Sequence, residues 1–348
     1  MLYNGVMDVS KLKTTLKKLK EPDFRYKQIV RAIYADGAAG YDAVTTIPRA
    51  LREELRAAVA VLSFKVRKVL TSQDKRAHKA LIEFPDGKLA ETVLLKPKPT
   101  GTWSVCVSSQ VGCAMGCTFC ATGMMGLRRQ LTAEEISDQV LFWKQYIRAK
   151  RLGSTLTNVV YMGMGEPLNN IENVFTSLDI LLDPERLALS ARHVSVSTVG
   201  LVPGIVKFIA KFPQVNLAVS LHAANDNLRN RLVPINKSFP LKALADGLSE
   251  VLAKTRRKIF IEYVLLDREN DTQKHAQELI RWLHRCGRPD LLHINLIVWN
   301  VTETDHRQTP AEQARLFRDW LRERGAHVTI RKNLGTDIKG ACGQLISD

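Results

Sequence analysis

Four of the six cysteines, Cys106, Cys113, Cys117 and Cys120, fall within fifteen consecutive positions. Three of them make the run Cys113-Ala-Met-Gly-Cys117-Thr-Phe-Cys120, a CxxxCxxC spacing whose thiolates can converge on one inorganic centre. An iron–sulfur cube has four irons, so three cysteines leave one iron open to chelate a small molecule, as catalytic metal sites keep a position vacant. The alternative is a zinc site completed by Cys106 or a histidine. Zinc sites more often pair cysteines as CxxC, and a three-then-two spacing with an aromatic at Phe119 fits that pattern poorly. A disulfide framework would need an oxidising compartment, which nothing in this chain suggests.

These residues need a scaffold, and the chain supplies one in three textures. Residues 11–35 carry apolar positions at helical spacing, broken at Glu21-Pro22, and Pro48 to Val61 reads as a further helix. From Val61 to about Leu95, alternating runs such as KALIEF and KLAETVLL flank Pro85-Asp86-Gly87, the pattern of a β-hairpin, and Pro97 and Pro99 mark a linker. Beyond it, strands are expected at 103–108, 158–162, 193–198, 215–221, 258–265, 293–298 and 327–331. Helices are expected at 133–150, opened by a Thr132 to Glu135 capping box, and at 171–182, 202–211, 241–254, 273–285 and 311–324. Repeated βα units mean a parallel sheet, either barrel or open. Gly163 to Glu166, Ser197, Ser220, His222 and Asn300 all fall at C-terminal strand ends, the rim where barrel enzymes build their sites. The expected organisation is a basic helical module over 1–60, a β-hairpin extension and linker over 61–100, and a barrel over 101–348.

In 348 residues, 45% hydrophobic and 25% charged, a sizeable core is assured and a disordered chain is excluded. No window approaches the roughly 18 to 20 apolar residues of a membrane span, and the opening MLYNGVMDVSKLK has no apolar signal core. The chain reads as cytoplasmic. The net charge of +16 favours a polyanionic partner, nucleic acid ahead of anionic lipid. The first 100 residues hold 20 basic and 11 acidic side chains, so 9 of the 16 surplus charges lie there.

The CxxxCxxC run with an aromatic before its last cysteine resembles the radical S-adenosylmethionine (SAM) superfamily. CVSSQVGCAMGCTFCATG, MGMGEPL, VSVSTVGLVPGI, VNLAVSLHAANDNLR and DIKGACGQL, with EPDFRYKQI in the helical module, resemble the RlmN and Cfr family of rRNA adenosine methyltransferases over nearly the whole chain. That resemblance implies an α/β fold, a partial (β/α)6 TIM-like barrel. It also implies one [4Fe-4S] cluster on Cys113, Cys117 and Cys120, whose open iron chelates SAM, with two SAM molecules used per turnover. Gly165 and Glu166 match positions at the SAM amino group, where a carboxylate makes a charge-assisted contact. Ser197, Ser220, Leu221, His222 and Asn300 match further SAM contacts. Taken singly, a strand-end serine is usually a satisfied hydroxyl and a lone histidine usually structural.

By the same resemblance, Cys342 accepts a methyl group from one SAM, and a 5′-deoxyadenosyl radical made from a second takes a hydrogen from that S-methyl group. The carbon radical adds to the base, Glu91 accepts a proton, and Cys106 resolves the adduct by forming a disulfide with Cys342. On residues alone, a near-terminal cysteine is ordinarily inert and Glu91 ordinarily an exposed carboxylate. Cys106 and Ser108 share one face of their strand, which can turn Cys106 inward. Cys286 matches no motif. The implied partners are 23S rRNA, with tRNA as a second substrate, and an electron donor such as flavodoxin; a monomer without membrane contact is expected. MGMGEPL and SLHAAND lean toward methylation at adenine C2, with C8 the alternative. A radical SAM enzyme on another substrate and a zinc-stabilised RNA-binding protein are the competing readings.

Overall fold

In a computed structural model, residues 9–346 are described; the first eight residues of the opening segment lie outside them. Helices α1 (Val9–Lys18), α2 (Phe24–Val30), continued by a π-helical turn over Arg31–Ala35, and α3 (Arg49–Ala58) form the N-terminal module. The predicted break at Glu21-Pro22 separates α1 from α2 because proline cannot supply the interior N–H that a helix needs. Leu12, Leu16, Ile29, Ile33, Leu51 and Leu55 turn inward at helical spacing and join the barrel's own apolar core.

The extension contains one strand more than a hairpin. β1 (Lys65–Thr71), β2 (Ala77–Glu83) and β3 (Leu89–Leu95) are an antiparallel meander. β1 was obscured in the sequence because an edge strand with one wet face carries Lys65, Arg67 and Lys68 instead of an apolar alternation. Nor is the meander a separate body. β3 pairs antiparallel with β4 (Trp103–Cys106), Val93 opposite Cys106, so the extension continues the barrel sheet.

After β4 come β5 (Gln110–Gly112), the short helix α4 (Ala121–Met124), β6 (Leu127–Gln130) and α5 (Ala133–Ala149). β5 and β6 form their own two-stranded sheet around the cysteine loop, a feature too short to read from periodicity. The capping box predicted for α5 is present, with Thr132 Oγ1 accepting from Glu135 N at 3.3 Å and Glu135 Oε2 from Thr132 N at 2.9 Å. The chain continues through β7 (Leu156–Tyr161), α6 (Ile171–Leu182), β8 (Val194–Thr198), α7 (Val202–Lys211), β9 (Asn216–Ser220), α8 (Asp226–Leu232) and α9 (Leu241–Lys254). It ends with β10 (Ile259–Leu265), α10 (Gln273–Arg285), β11 (Leu292–Val298), α11 (Ala311–Arg322) and β12 (His327–Ile330).

The ten-stranded sheet runs β1-β2-β3-β4-β7-β8-β9-β10-β11-β12 and is parallel from β4 onward. β4 and β12 do not pair, so six βα units and a seventh strand make an open, partial barrel. The helical module docks against α5, where Gln145 Nε2 donates to Ala38 O at 2.8 Å, and the start of the extension is fixed to the same helix, Ser63 N donating to the buried Asp138 Oδ2 at 2.8 Å.

Candidate active site

The C-terminal strand ends open into a cavity of about 790 Å³, a volume that includes the open solvent at its mouth. Cys120, Gly165, Glu166, Ser197, Ser220, His222, Asn300 and Cys342 all line it. The cavity therefore gathers these residues from six segments. Cys106, Cys113, Cys117, Leu221 and Glu91 are not on its wall.

Glycine is required where the second strand's loop meets the β5 segment. Gly165 has φ +99°, and a Cβ there would sit 2.5 Å from the Cβ of Gln110. At Gly163 a Cβ would meet Ser108 Oγ at 2.6 Å. Gln110 Oε1 instead accepts from Glu166 N at 2.7 Å, while its Nε2 donates to Gln130 Oε1 at 2.7 Å. The carboxylate of Glu166 accepts from Leu168 N at 3.0 Å and Val199 N at 2.9 Å. Burial raises its pKa to about 7 against those N–H contacts, so a bound ammonium would find a desolvated acid already oriented.

Ser197 and Ser220 pair through their hydroxyls at 3.2 Å. His222 sits in the left-handed region at φ +62°, with its ring edge-on to Phe119 at 4.7 Å and its Nδ1 accepting from Val264 N at 3.0 Å. Burial, then the positive charge of Arg229, hold it neutral with a pKa near 3. Leu221 is wholly buried, its amide donating to Glu262 O at 3.0 Å, so it faces the core instead of the cavity. Asn300 donates from Nδ2 to Cys342 O at 3.0 Å, whereas its buried Oδ1 has no partner.

The three clustered thiols are neighbours. Burial pushes Cys117 well above the ordinary thiol range, and the charges of Cys120 and Cys113 raise it further. Burial also raises Cys120, against the N–H groups of Gly123 and Thr122 and the Thr122 hydroxyl, which favour a thiolate. Cys113 rises to about 12 through burial. Among the described residues, no three His, Cys, Asp or Glu side chains are gathered closely enough for a single metal ion. A cube with irons at its corners sets its thiolates wider apart than one ion does, and this loop fits such a group. The orphaned Asn300 Oδ1 and the glycine cradle at Gly165 likewise fit a polar small molecule held beside it.

The second pair of thiols comes from β4 and the C-terminal segment. Cys106 is buried and pushed up to about 12 by that burial and then by Cys342 nearby, while Cys342 is exposed. All six cysteines are free. The Cys342 segment is held along its length: Ala121 N donates to Gly343 O at 2.8 Å, Thr122 Oγ1 to Leu345 O at 2.6 Å and Gln344 Nε2 to Val301 O at 3.0 Å. Glu91 is buried, in contrast to the exposed carboxylate of the residue-level reading. It pairs with Lys79 Nζ at 2.7 Å and accepts from Ile346 N at 3.0 Å. Cys286 is enclosed with Sγ 3.5 Å from Trp282 O, remote from the site.

Four functional-looking residues were missed. Gln110 and Trp299, whose Nε1 donates to Phe119 O at 2.9 Å, shape the walls through contacts no spacing announces. Glu262 and Arg331 also line the cavity. A lone carboxylate inside the apolar strand KIFIEYVLL and a basic residue at a strand end were the available signals.

A model of the radical SAM superfamily matches residues 107–283, and a model of the ribosomal RNA large subunit methyltransferase N-terminal domain matches residues 5–61. The chain belongs to the RlmN and Cfr family of the radical SAM superfamily. It is 41% identical to a probable dual-specificity RNA methyltransferase RlmN of Bacillus pumilus, covering 97% of this chain and 92% of that one. It is 40% identical to a ribosomal RNA large subunit methyltransferase Cfr of Clostridium botulinum, covering 96% of each. A crystal structure of a radical SAM methyltransferase from Sphaerobacter thermophilus superposes with a TM-score of 0.90 at 41% identity over 98% of both chains. As a radical SAM enzyme, the chain uses a [4Fe-4S] cluster and SAM as cofactors.

Proposed function

We propose that this radical SAM enzyme methylates C2 of an adenosine in large-subunit rRNA, with Cys342 as the methyl carrier. The observation that carries the reading is that Cys342 lines the same cavity as Cys120 of the three-cysteine loop, with Cys106, from the opposite end of the barrel sequence, within electrostatic reach of it. C2 and C8 of adenine are electrophilic amidine carbons, which SAM's electrophilic methyl cannot alkylate directly. A sulfur-borne carbon radical can add there.

Cys113, Cys117 and Cys120 would hold the cluster, and Gly165, Glu166, Ser197, Ser220, His222, Asn300 and the Leu221 backbone would hold SAM. Bound together, cluster and SAM supply the 5′-deoxyadenosyl radical. The remaining work falls to side chains. Exposed Cys342 attacks the methyl of one SAM as a thiolate, losing its proton and releasing S-adenosylhomocysteine. After hydrogen abstraction, its S-bound methylene adds to the base. Glu91, off the cavity wall but bonded to the Cys342 segment, takes the base proton. The adduct gives up one electron to an external acceptor, and Cys106, as a thiolate, then attacks the sulfur of Cys342. The methylene leaves with the base and takes a proton to become its methyl group, while the two sulfurs close a disulfide that an external two-electron reductant reopens. The basic module over 1–60, with the extension over 61–100, would clamp RNA phosphates while the barrel, 101–348, takes an extruded base. Two SAM per turnover and a one-electron donor of the flavodoxin kind follow from the same chemistry, and tRNA is a second substrate consistent with the dual-specificity relative.

MGMGEPL and SLHAAND favour C2; the Cfr-named relatives at about 40% identity favour C8 as the second reading. The deciding experiment is anaerobic turnover of reconstituted protein with SAM, reductant and an rRNA fragment, followed by nucleoside mass spectrometry. 2-Methyladenosine is expected, 8-methyladenosine would move the assignment to the second reading, and SAM cleavage without either would overturn the substrate. Cys106→Ala should trap a covalent protein–RNA adduct; free methylated RNA alone would remove Cys106 from the mechanism.

A further inference from the structure

The cavity wall also carries a charged pair with no part in the chemistry above. Glu262 on β10 is 3% exposed. Its Oε1 accepts from Asn295 Nδ2 at 2.8 Å, and Asn295 Oδ1 in turn accepts from Thr329 Oγ1 at 2.8 Å. Its Oε2 faces Arg331 Nη1 at 3.3 Å. Arg331, just past β12, is the one Lys or Arg among the described residues lining the cavity. Its Nη1 also reaches Met162 Sδ at 3.8 Å, while its Nε and Nη2 bond to no described residue. The guanidinium lies within electrostatic reach of both Cys342 and Cys106. Three adjacent strands thus present a fixed donor and a fixed acceptor side by side, with the donor next to the thiol pair.

We infer that Arg331 and Glu262 read the edge of the target adenine, Arg331 donating to the ring nitrogen beside the reacting carbon and Glu262 accepting from the 6-amino group. The inference rests on the proposed function, because a base joined through a methylene to Cys342 would occupy the cavity whose wall Cys342 shares with Arg331 and Glu262. The order of groups supports it. Along either edge of adenine the sequence is reacting carbon, ring nitrogen, amino group: C2, N1, N6 or C8, N7, N6. Along the cavity wall it is Cys342, Arg331, Glu262. Guanine would set its O6 acceptor against the Glu262 carboxylate, leaving both charged groups badly paired. A donor on the ring nitrogen also withdraws electron density from the adjacent carbon and so favours addition of a nucleophilic carbon radical.

The test is equilibrium binding of the full chain to a hairpin RNA carrying adenosine, purine riboside, 1-deazaadenosine or 7-deazaadenosine at the target position. Wild type should bind adenosine about 10-fold tighter than purine riboside, the scale of one hydrogen-bonded pair. One deaza analogue should lose a similar factor, 1-deaza for C2 chemistry and 7-deaza for C8. Glu262→Met and Arg331→Met should erase the preference over purine riboside and over that deaza analogue respectively. Arg331→Lys should restore part of the latter, as Glu262→Gln, which keeps one acceptor oxygen, should restore part of the former. Unchanged melting temperatures identify variants that fold. A wild type indifferent to all four bases, or a preference surviving in folded Glu262→Met and Arg331→Met, overturns the inference. The methylated-nucleoside assay decides the proposed function separately, since base preference is read here without turnover.

Discussion

On the β7 to β9 side of the cavity, Glu166 is held by the main-chain amides of Leu168 and Val199, and Gly165 lies so close to Gln110 that no side chain fits. On the other side, exposed Cys342 rides on a segment tied by the distant side chains of Asn300, Thr122 and Glu91 and by its own Gln344, which reaches Val301. The glycine loop is further tied by main-chain bonds, Gly163 N to Val107 O at 3.0 Å and Ser109 N to Met164 O at 2.9 Å. Such bonds beside neighbouring strands are as stiff as the sheet, whereas the Cys342 segment has, among the described residues, one to the rest of the chain, from Ala121 N to Gly343 O. Side-chain ties can be broken singly, and a sulfur that, under the proposed function, meets SAM, a base and Cys106 in turn needs that freedom. The cofactor side is therefore built to stay, and the sulfur side to move.

The largest effect should come from breaking the stiff side. Gly165→Val forces a branched side chain into φ +99° and into Gln110, and misplacing the cofactor by about an ångström should cost on the order of 100-fold in 5′-deoxyadenosine formation. Calorimetric SAM binding should fall in parallel. Next in size is Lys79→Met, which leaves Glu91 buried without its cation. The expected loss is about 3–5 kcal/mol of stability, seen by thermal melting, with faster iodoacetamide labelling of Cys342; unchanged labelling would argue that the segment does not depend on this tie. SAM binding should be spared, the reverse of Gly165→Val.

A smaller, pH-dependent effect belongs to Asp138 on α5, which ties the start of the extension to the barrel. Burial raises its carboxyl to about 7 despite the Ser63 N–H. The folded state therefore holds a proton that the unfolded state releases above its ordinary value of 3.8. Its contribution to stability is full below that value and is lost as pH rises through about 7. Asp138→Asn should flatten the melting temperature between pH 4 and 7; a slope equal to wild type would assign the titration elsewhere. The least change is expected from Glu53→Ala, which removes an exposed i,i+4 partner of Arg49 and should cost no more than about 0.5 kcal/mol.

The same contrast separates what sequence could tell from what it could not. The cysteine run, MGMGEP and the strand-end serines are contiguous or periodic, and the helices at 171–182, 202–211, 241–254 and 273–285 follow from apolar spacing alone. Local motifs survive because local geometry suffices to use them. The Glu91–Lys79 tie, the Glu262–Arg331 pair and the missing β4–β12 pairing depend on strands meeting in space. β5 and β6, at three and four residues, are shorter than any usable period.

An open sheet of ten strands has two bare margins, and β1 is one of them. Its unpaired backbone could recruit another β-strand, from a second copy or from a nascent chain, and seed precipitation. Lys65, Arg67 and Lys68 along it make such stacking electrostatically unfavourable. A variant neutralised at these positions should lose solubility in low salt before it loses activity.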